Sequence, residues 1–135
     1  MILALGSMFN ERRIGMESIL TSIKKLLGIT EECEHFDSDI IIHINSVLSV
    51  LTQLGVGPTE GFRITDKSSI WSDFVPYEYK NLEDVKTYVY LRVRLLFDPP
   101  ISSIVIDSMN RMISELEWRI NVTSESNEEE ELQNG

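Results

Sequence analysis

Cys33, Glu34 and His35, with Asp37 and Asp39 close behind, form the densest grouping of metal-ligating or nucleophilic side chains in the chain. A zinc site needs further Cys or His ligands at short spacing, and none follows. The other histidine, His43, stands eight residues from His35, whereas a spacing of four would put two imidazoles on one helical face. Cys33 is a poor nucleophile as well, because Glu32 and Glu34 beside it favour the thiol over the thiolate. The chain contains no Gly-rich phosphate loop, serine elbow or paired-carboxylate motif. Glu115 and Glu117, two positions apart, cannot face each other on a helix. These residues predict a protein without metal, cofactor or catalytic centre, and so a non-enzyme whose work is binding.

Residues suited to binding are better represented. Trp71, Phe74, Tyr77 and Tyr79 fall within nine positions. Such a cluster is either a satellite core beneath a loop or a surface for a partner. Tyr88 and Tyr90 lie two apart on a helical pattern, so they cannot both point inward, and Tyr90 is the better surface candidate. Arg92, Arg94, Arg111 and Arg119 sit on helices whose other faces are apolar, and arginine is enriched at protein interfaces. The candidate interface set is Phe62, Ile64, Ile70, Trp71, Phe74, Tyr90, Arg92, Arg94, Trp118 and Arg119.

Composition narrows the class further. The 135 residues are 42% apolar, a globular value that suits one domain. No stretch approaches the roughly 18 to 20 apolar residues that cross a bilayer; the richest, 40–54, is interrupted by His43, Asn45, Ser46, Ser49, Thr52 and Gln53. A single cysteine excludes an internal disulfide and suits a reducing cytosol. The formal charge is −10, half of it from five glutamates in the last thirteen residues. Gripping nucleic acid requires clustered Lys and Arg, which are lacking here. An acidic surface instead lets DNA pass without sticking.

The apolar periodicity predicts a mainly α fold of four helices, with a small hairpin or extended loop between helices two and three. Helix one spans about 16–27, with Lys24 and Lys25 in its last turn and Gly28 behind it. Helix two spans about 38–54, capped by Asp37 or Ser38 and stopped by Gly55; Ile42 and Val50, off its main stripe, predict cover on more than one side. Phe62 to Thr65 alternates with period two, and Ile70-Trp71 begins a returning strand after a polar turn. Helix three spans about 82–97, capped by Asn81 and ended by Asp98-Pro99-Pro100. Helix four spans about 101–121 with a buried stripe of Ile101, Ile104, Val105, Met109, Met112, Ile113, Leu116 and Ile120. Residues 123–135 read as an acidic disordered tail. Residues 1–15 lack periodicity and read as a flexible leader; Glu11-Arg12-Arg13 ahead of Met16 is what a purine-rich ribosome-binding site would encode, which makes Met16 a candidate start.

The order of these features resembles the head–tail connector (adaptor, or head-completion) proteins of siphophages. The resemblance is carried by Leu54-Gly55-Val56-Gly57 after helix two, by Ile70-Trp71-Ser72-Asp73-Phe74, by the run from Tyr88 through Leu95-Leu96-Phe97-Asp98-Pro99-Pro100, and by Glu115-Leu116-Glu117-Trp118-Arg119. It covers about 16–122, the segment expected to be the connector domain. It implies a homo-oligomeric ring, typically of twelve copies, in the virion neck after assembly in the host cytoplasm. Its partners would be the portal protein and a downstream stopper or tail protein, with DNA passing through the ring unread and no membrane involved. A different class is also open to a small acidic helical chain: a regulatory or inhibitory protein-binding module, such as a DNA mimic. That class wants acids clustered on one face, whereas here most acids outside the tail are scattered through caps and loops.

Overall fold

The computed structural model describes residues 15–76 and 78–134. Among these residues five helices follow one another: α1 Ile19–Leu26, α2 Asp37–Gln53, the single-turn α3 Trp71–Phe74, α4 Leu82–Phe97 and α5 Ser103–Asn134. The fold is mainly α, as its periodicity predicts. The expected 1–15 leader lies outside the described residues except for Gly15. Helix α4 is central, packing against α1, α2 and α5. The core gathers Ile19 and Ile23 of α1, Ile44 and Leu48 of α2, Trp71 of α3 and Val85 and Val89 of α4.

Helix α1 starts at Ser18, whose hydroxyl accepts a hydrogen bond from the Thr21 amide at 3.2 Å. Gly28, at φ +81°, reverses the chain after it, and the amide of Ile29 returns to the Lys24 carbonyl at 2.9 Å. Lys24 is buried rather than solvated. Its ammonium lies 2.8 Å from the Asp37 carboxylate and donates to the Glu31 carbonyl at 3.1 Å. This pairing supplies the partners a buried charge requires and ties the 28–36 loop to the start of α2. Asp37 therefore serves a tertiary contact, and α2 begins after Phe36 with no side-chain cap, contrary to the cap expected from Asp37 or Ser38. The expected second cover of α2 is also missing over part of its length, since Ile42 is 65% exposed.

The hairpin expected between α2 and α4 does not form. The amide of Asn45 replaces a partner strand: Oδ1 accepts from the Ile64 N–H at 2.8 Å and Nδ2 donates to the Ile64 carbonyl at 2.9 Å. Residues 62–65 are thus held against α2 by a side chain presenting the same donor and acceptor as a peptide group. Ile70 pairs instead with Ser18 in an isolated antiparallel bridge. The Ile19 amide bonds the Ser69 carbonyl at 3.0 Å, and the Trp71 amide bonds the Glu17 carbonyl at 3.2 Å. Trp71 then enters α3, where its indole N–H donates to Ser22 Oγ at 2.9 Å in the buried core. Phe74 lies over Gly57, whose positive φ and missing Cβ leave room for the ring.

Two ties fix α5 on the body. Asn81 Nδ2 donates to Thr123 Oγ1 at 2.6 Å, and Ser124 Oγ donates to the Gly55 carbonyl at 3.1 Å. Asn81 is spatially the cap of α4, yet its side chain makes this interhelical bond in place of the capping bond expected of it. Helix α5 also continues to Asn134, through the residues expected to be a disordered tail. Glutamate is a good helix former, and the docked half of α5 removes the nucleation cost for the turns that follow.

Asn45→Ala is expected to release the 62–65 segment and leave the Ile64 amide without a partner. Each unsatisfied buried group costs about 1–3 kcal/mol. Urea denaturation should show a lower midpoint with little change in the helical circular-dichroism signal of the native state.

Candidate interface surfaces

Each side chain of the predicted interface set has a definite place. Ile64, Trp71 and Phe74 are core residues, 1%, 0% and 3% exposed. The expectation that they face a partner is corrected, because the 56–76 segment needs those side chains to pack it onto α1 and α2. Phe62 is half-buried against Phe74, with ring centroids 5.4 Å apart, and Ile70 is half-buried at the Ser18 bridge. Tyr90 is half-buried against the core. Arg94 reaches toward Asp98, 3.9 Å away, at the end of α4. Trp118 stands free at 67% exposure, and beside it Arg119 bridges Glu115 of its own helix and, at 3.9 Å, Asp84 of α4.

Arg92 belongs to a polar cluster at the α4–α5 seam. The Tyr88 hydroxyl donates to Glu117 Oε1 at 2.8 Å. Arg92 Nη1 lies 3.2 Å from the same carboxylate oxygen and 3.2 Å from the Tyr88 hydroxyl. Burial, followed by the hydrogen bond to Glu117, pushes the Tyr88 phenol up to about 12. Burial and the nearby Asp84 charge push Tyr79 upward as well. The cluster thus locks two helices together.

The largest departure from expectation lies at the start of α5. Of the stripe predicted to be buried, only Met109, Ile113, Leu116 and Ile120 are covered. Ile101 and Ile104 are 104% and 77% exposed, and Val105 and Met112 are exposed with them. For Ile101, Ile104 and Val105 the cause is register. With Asn81 tied to Thr123, the 16 residues of antiparallel α4 can accompany α5 back only to about residue 108. Everything before that overhangs the end of α4, so the apolar row there meets solvent. Leu96 is exposed on the neighbouring end of α4. These residues were legible as an apolar row, but the row alone does not say what covers it.

On another face, an open groove of about 900 Å³ lies between α2 and the 59–65 loop. Ile41, Ile42, Phe62 and Ile64 contribute its apolar lining. The histidines are engaged with aromatic neighbours: His35 packs edge-on to Phe36 with centroids 4.8 Å apart, and His43 lies 6.4 Å from Phe97. Cys33 is half-buried. Among the described residues, no three His, Cys, Asp or Glu side chains converge to hold a metal ion. No helix of the described residues is long and apolar enough to cross a membrane.

Alkaline titration tests the seam. Tyr88 has a folded pKa above the unfolded value of about 10, so the native state holds its proton more tightly. Its contribution to stability is complete below pH 10 and is lost as pH rises toward 12. Tyr88→Phe is therefore expected to flatten the fall in denaturation midpoint between pH 10 and 12, and to remove the latest tyrosine ionisation seen by ultraviolet absorbance.

Comparison with known proteins gives one match. Residues 19–127, from the start of α1 to just past Ser124, the last buried residue of α5, match the family model described as phage connector protein. No curated protein matches the chain, and no solved structure does. The match covers far more than half of the 135 residues, taking in α1 to α4 whole and α5 up to residue 127. The chain belongs to the phage connector protein family, a family of structural proteins.

Proposed function

We propose that copies of this chain form a closed ring of twelve beneath the portal, joining the DNA-filled head to the stopper or tail and extending the DNA channel. In this reading residues 16–122 are the connector domain and act in the virion neck. The observation that carries it is the overhanging apolar start of α5: Ile101 just ahead of the helix and Ile104 and Val105 in its first turn are exposed in the single chain and well placed for another subunit. Exposed contiguous apolar surface of this kind marks interaction sites. A ring needs unlike surfaces on its two flanks, which makes each contact heterologous and self-closing.

Charge supports the same reading. The formal charge of −10 includes Glu125 and Glu128 to Glu131 on the last turns of α5, which are exposed. A wall of that sign repels phosphates and lets a duplex slide. The function is binding geometry, with no turnover and no cofactor.

The experiment is electron microscopy of lysates from an infection in which this chain is not translated. Free tails beside separate heads are expected, with plaque-forming titre lowered by several orders of magnitude. Intact virions in normal number would contradict the reading.

A further inference from the structure

The uncovered tip of α5 and the groove beside α2 lie on different flanks of one molecule. The groove residues Ile42, Ser46, Ser49 and Gln53 follow one another at helical spacing. At 100° per residue their row lies roughly 170° around α2 from the buried row of Ile40, Ile44 and Leu51. The groove therefore faces away from α4, while α5 packs on α4. None of the groove's lining residues comes from α5. Nor can α5 swing round to fill it while Thr123 and Ser124 hold their bonds to Asn81 and Gly55.

We propose that the α5 tip of one copy seats in the α2 groove of the next, so that copies join head to tail through Ile101, Ile104 and Val105 against Ile41, Ile42 and Phe62. The occupant is a second copy of this chain; the inference rests on the ring reading above and names the surfaces that close the ring.

Three observations carry it. The groove, at about 900 Å³, is large enough to receive several aliphatic side chains, and Ile42 within it is an apolar residue left 65% exposed by its own fold. Charges also complement one another. Asp107 and Arg111 flank the exposed row four residues apart on one side of α5, and both are exposed; Glu60 and Arg63 line the groove. Seating α5 antiparallel to the 60–63 segment brings Asp107 to Arg63 and Arg111 to Glu60. The two surfaces, finally, are unlike and lie on separate flanks, which is the requirement for a heterologous contact that propagates around a ring.

The small extent of the tip has a consequence. A standard stable interface covers about 800 Å² per partner, and a few aliphatic side chains supply well under that. One contact alone is weak, and association is completed when every copy makes two and the ring closes on its neighbours. The assembled particle is therefore the proper place to test the contact.

In phage whose chain carries Cys33→Ser, the substitutions Ile42→Cys and Ile104→Cys are introduced together and singly. Both sites are exposed, so neither change removes core packing. Purified virions are treated with a short bis-maleimide and run on a denaturing gel. The double variant is expected to give a ladder of multiples of the chain, and each single variant only the monomer. Virions that contain the chain but yield monomer alone in the double variant would overturn the seating. A dimer from Ile104→Cys alone would also overturn it, because tips would then meet tips. Absence of the chain from the virion would refute the connector reading itself, which separates the two failures. A charge exchange gives a second readout: Arg63→Asp and Asp107→Arg should each lower plaque titre at least tenfold, and together restore it. Wild-type titre in the singles, or no restoration in the pair, would count against the proposed register.

Discussion

Along the α4–α5 seam, the position of one helix against the other decides which residues are core and which are surface. Asn81 to Thr123 and Ser124 to Gly55 pin α5 past its middle. Glu117 then meets Tyr88 and Arg92 midway along the seam. From those ties back to the end of α4, Met109, Ile113, Leu116 and Ile120 are buried, each contributing about 1.5–3 kcal/mol of apolar burial. Given that register, the first turns of α5 have no α4 beneath them. The same sequence row that holds the fold together at one end is thereby delivered to solvent at the other.

The connection between α2 and α4 serves the opposite purpose. Two of its aromatics turn inward, Trp71 hydrogen-bonded to Ser22 and Phe74 laid over Gly57, while Tyr77 lies outside the described residues. Asn45 holds its middle by the Ile64 backbone, and Ser18 pairs with its end at Ile70. A segment with almost no regular structure becomes a fixed wall in this way. That fixity bears on function, because the loop from 59 to 65 forms one side of the α2 groove.

What could be read from the sequence depended on how local the cause was. Helix α4 begins and ends where the pattern predicts, since Asp98-Pro99-Pro100 stops a helix whatever surrounds it. Gly55 likewise marks the end of α2, at φ +87°. Side chains with a choice of partner were misread. Asp37 and Asn81 are good caps in isolation, yet Lys24 and Thr123 claim them across the fold. The hairpin failed for a related reason: an amide nineteen residues away supplied the bonds a strand would have made. Periodicity found the α5 stripe but treated Ile101 and Ile104 as buried, because a period reports which residues share a face and not how far the covering helix extends. Trp118 and Arg119 were legible as surface, while Ile42 and the groove it lines were not.

A density map of the neck of the intact virion tests the central claim most directly. The account predicts a closed ring of this chain below the portal, with Ile101, Ile104 and Val105 of every copy covered by the α2 side of its neighbour. A ring in which those residues face solvent, or a neck from which the chain is missing, would contradict it.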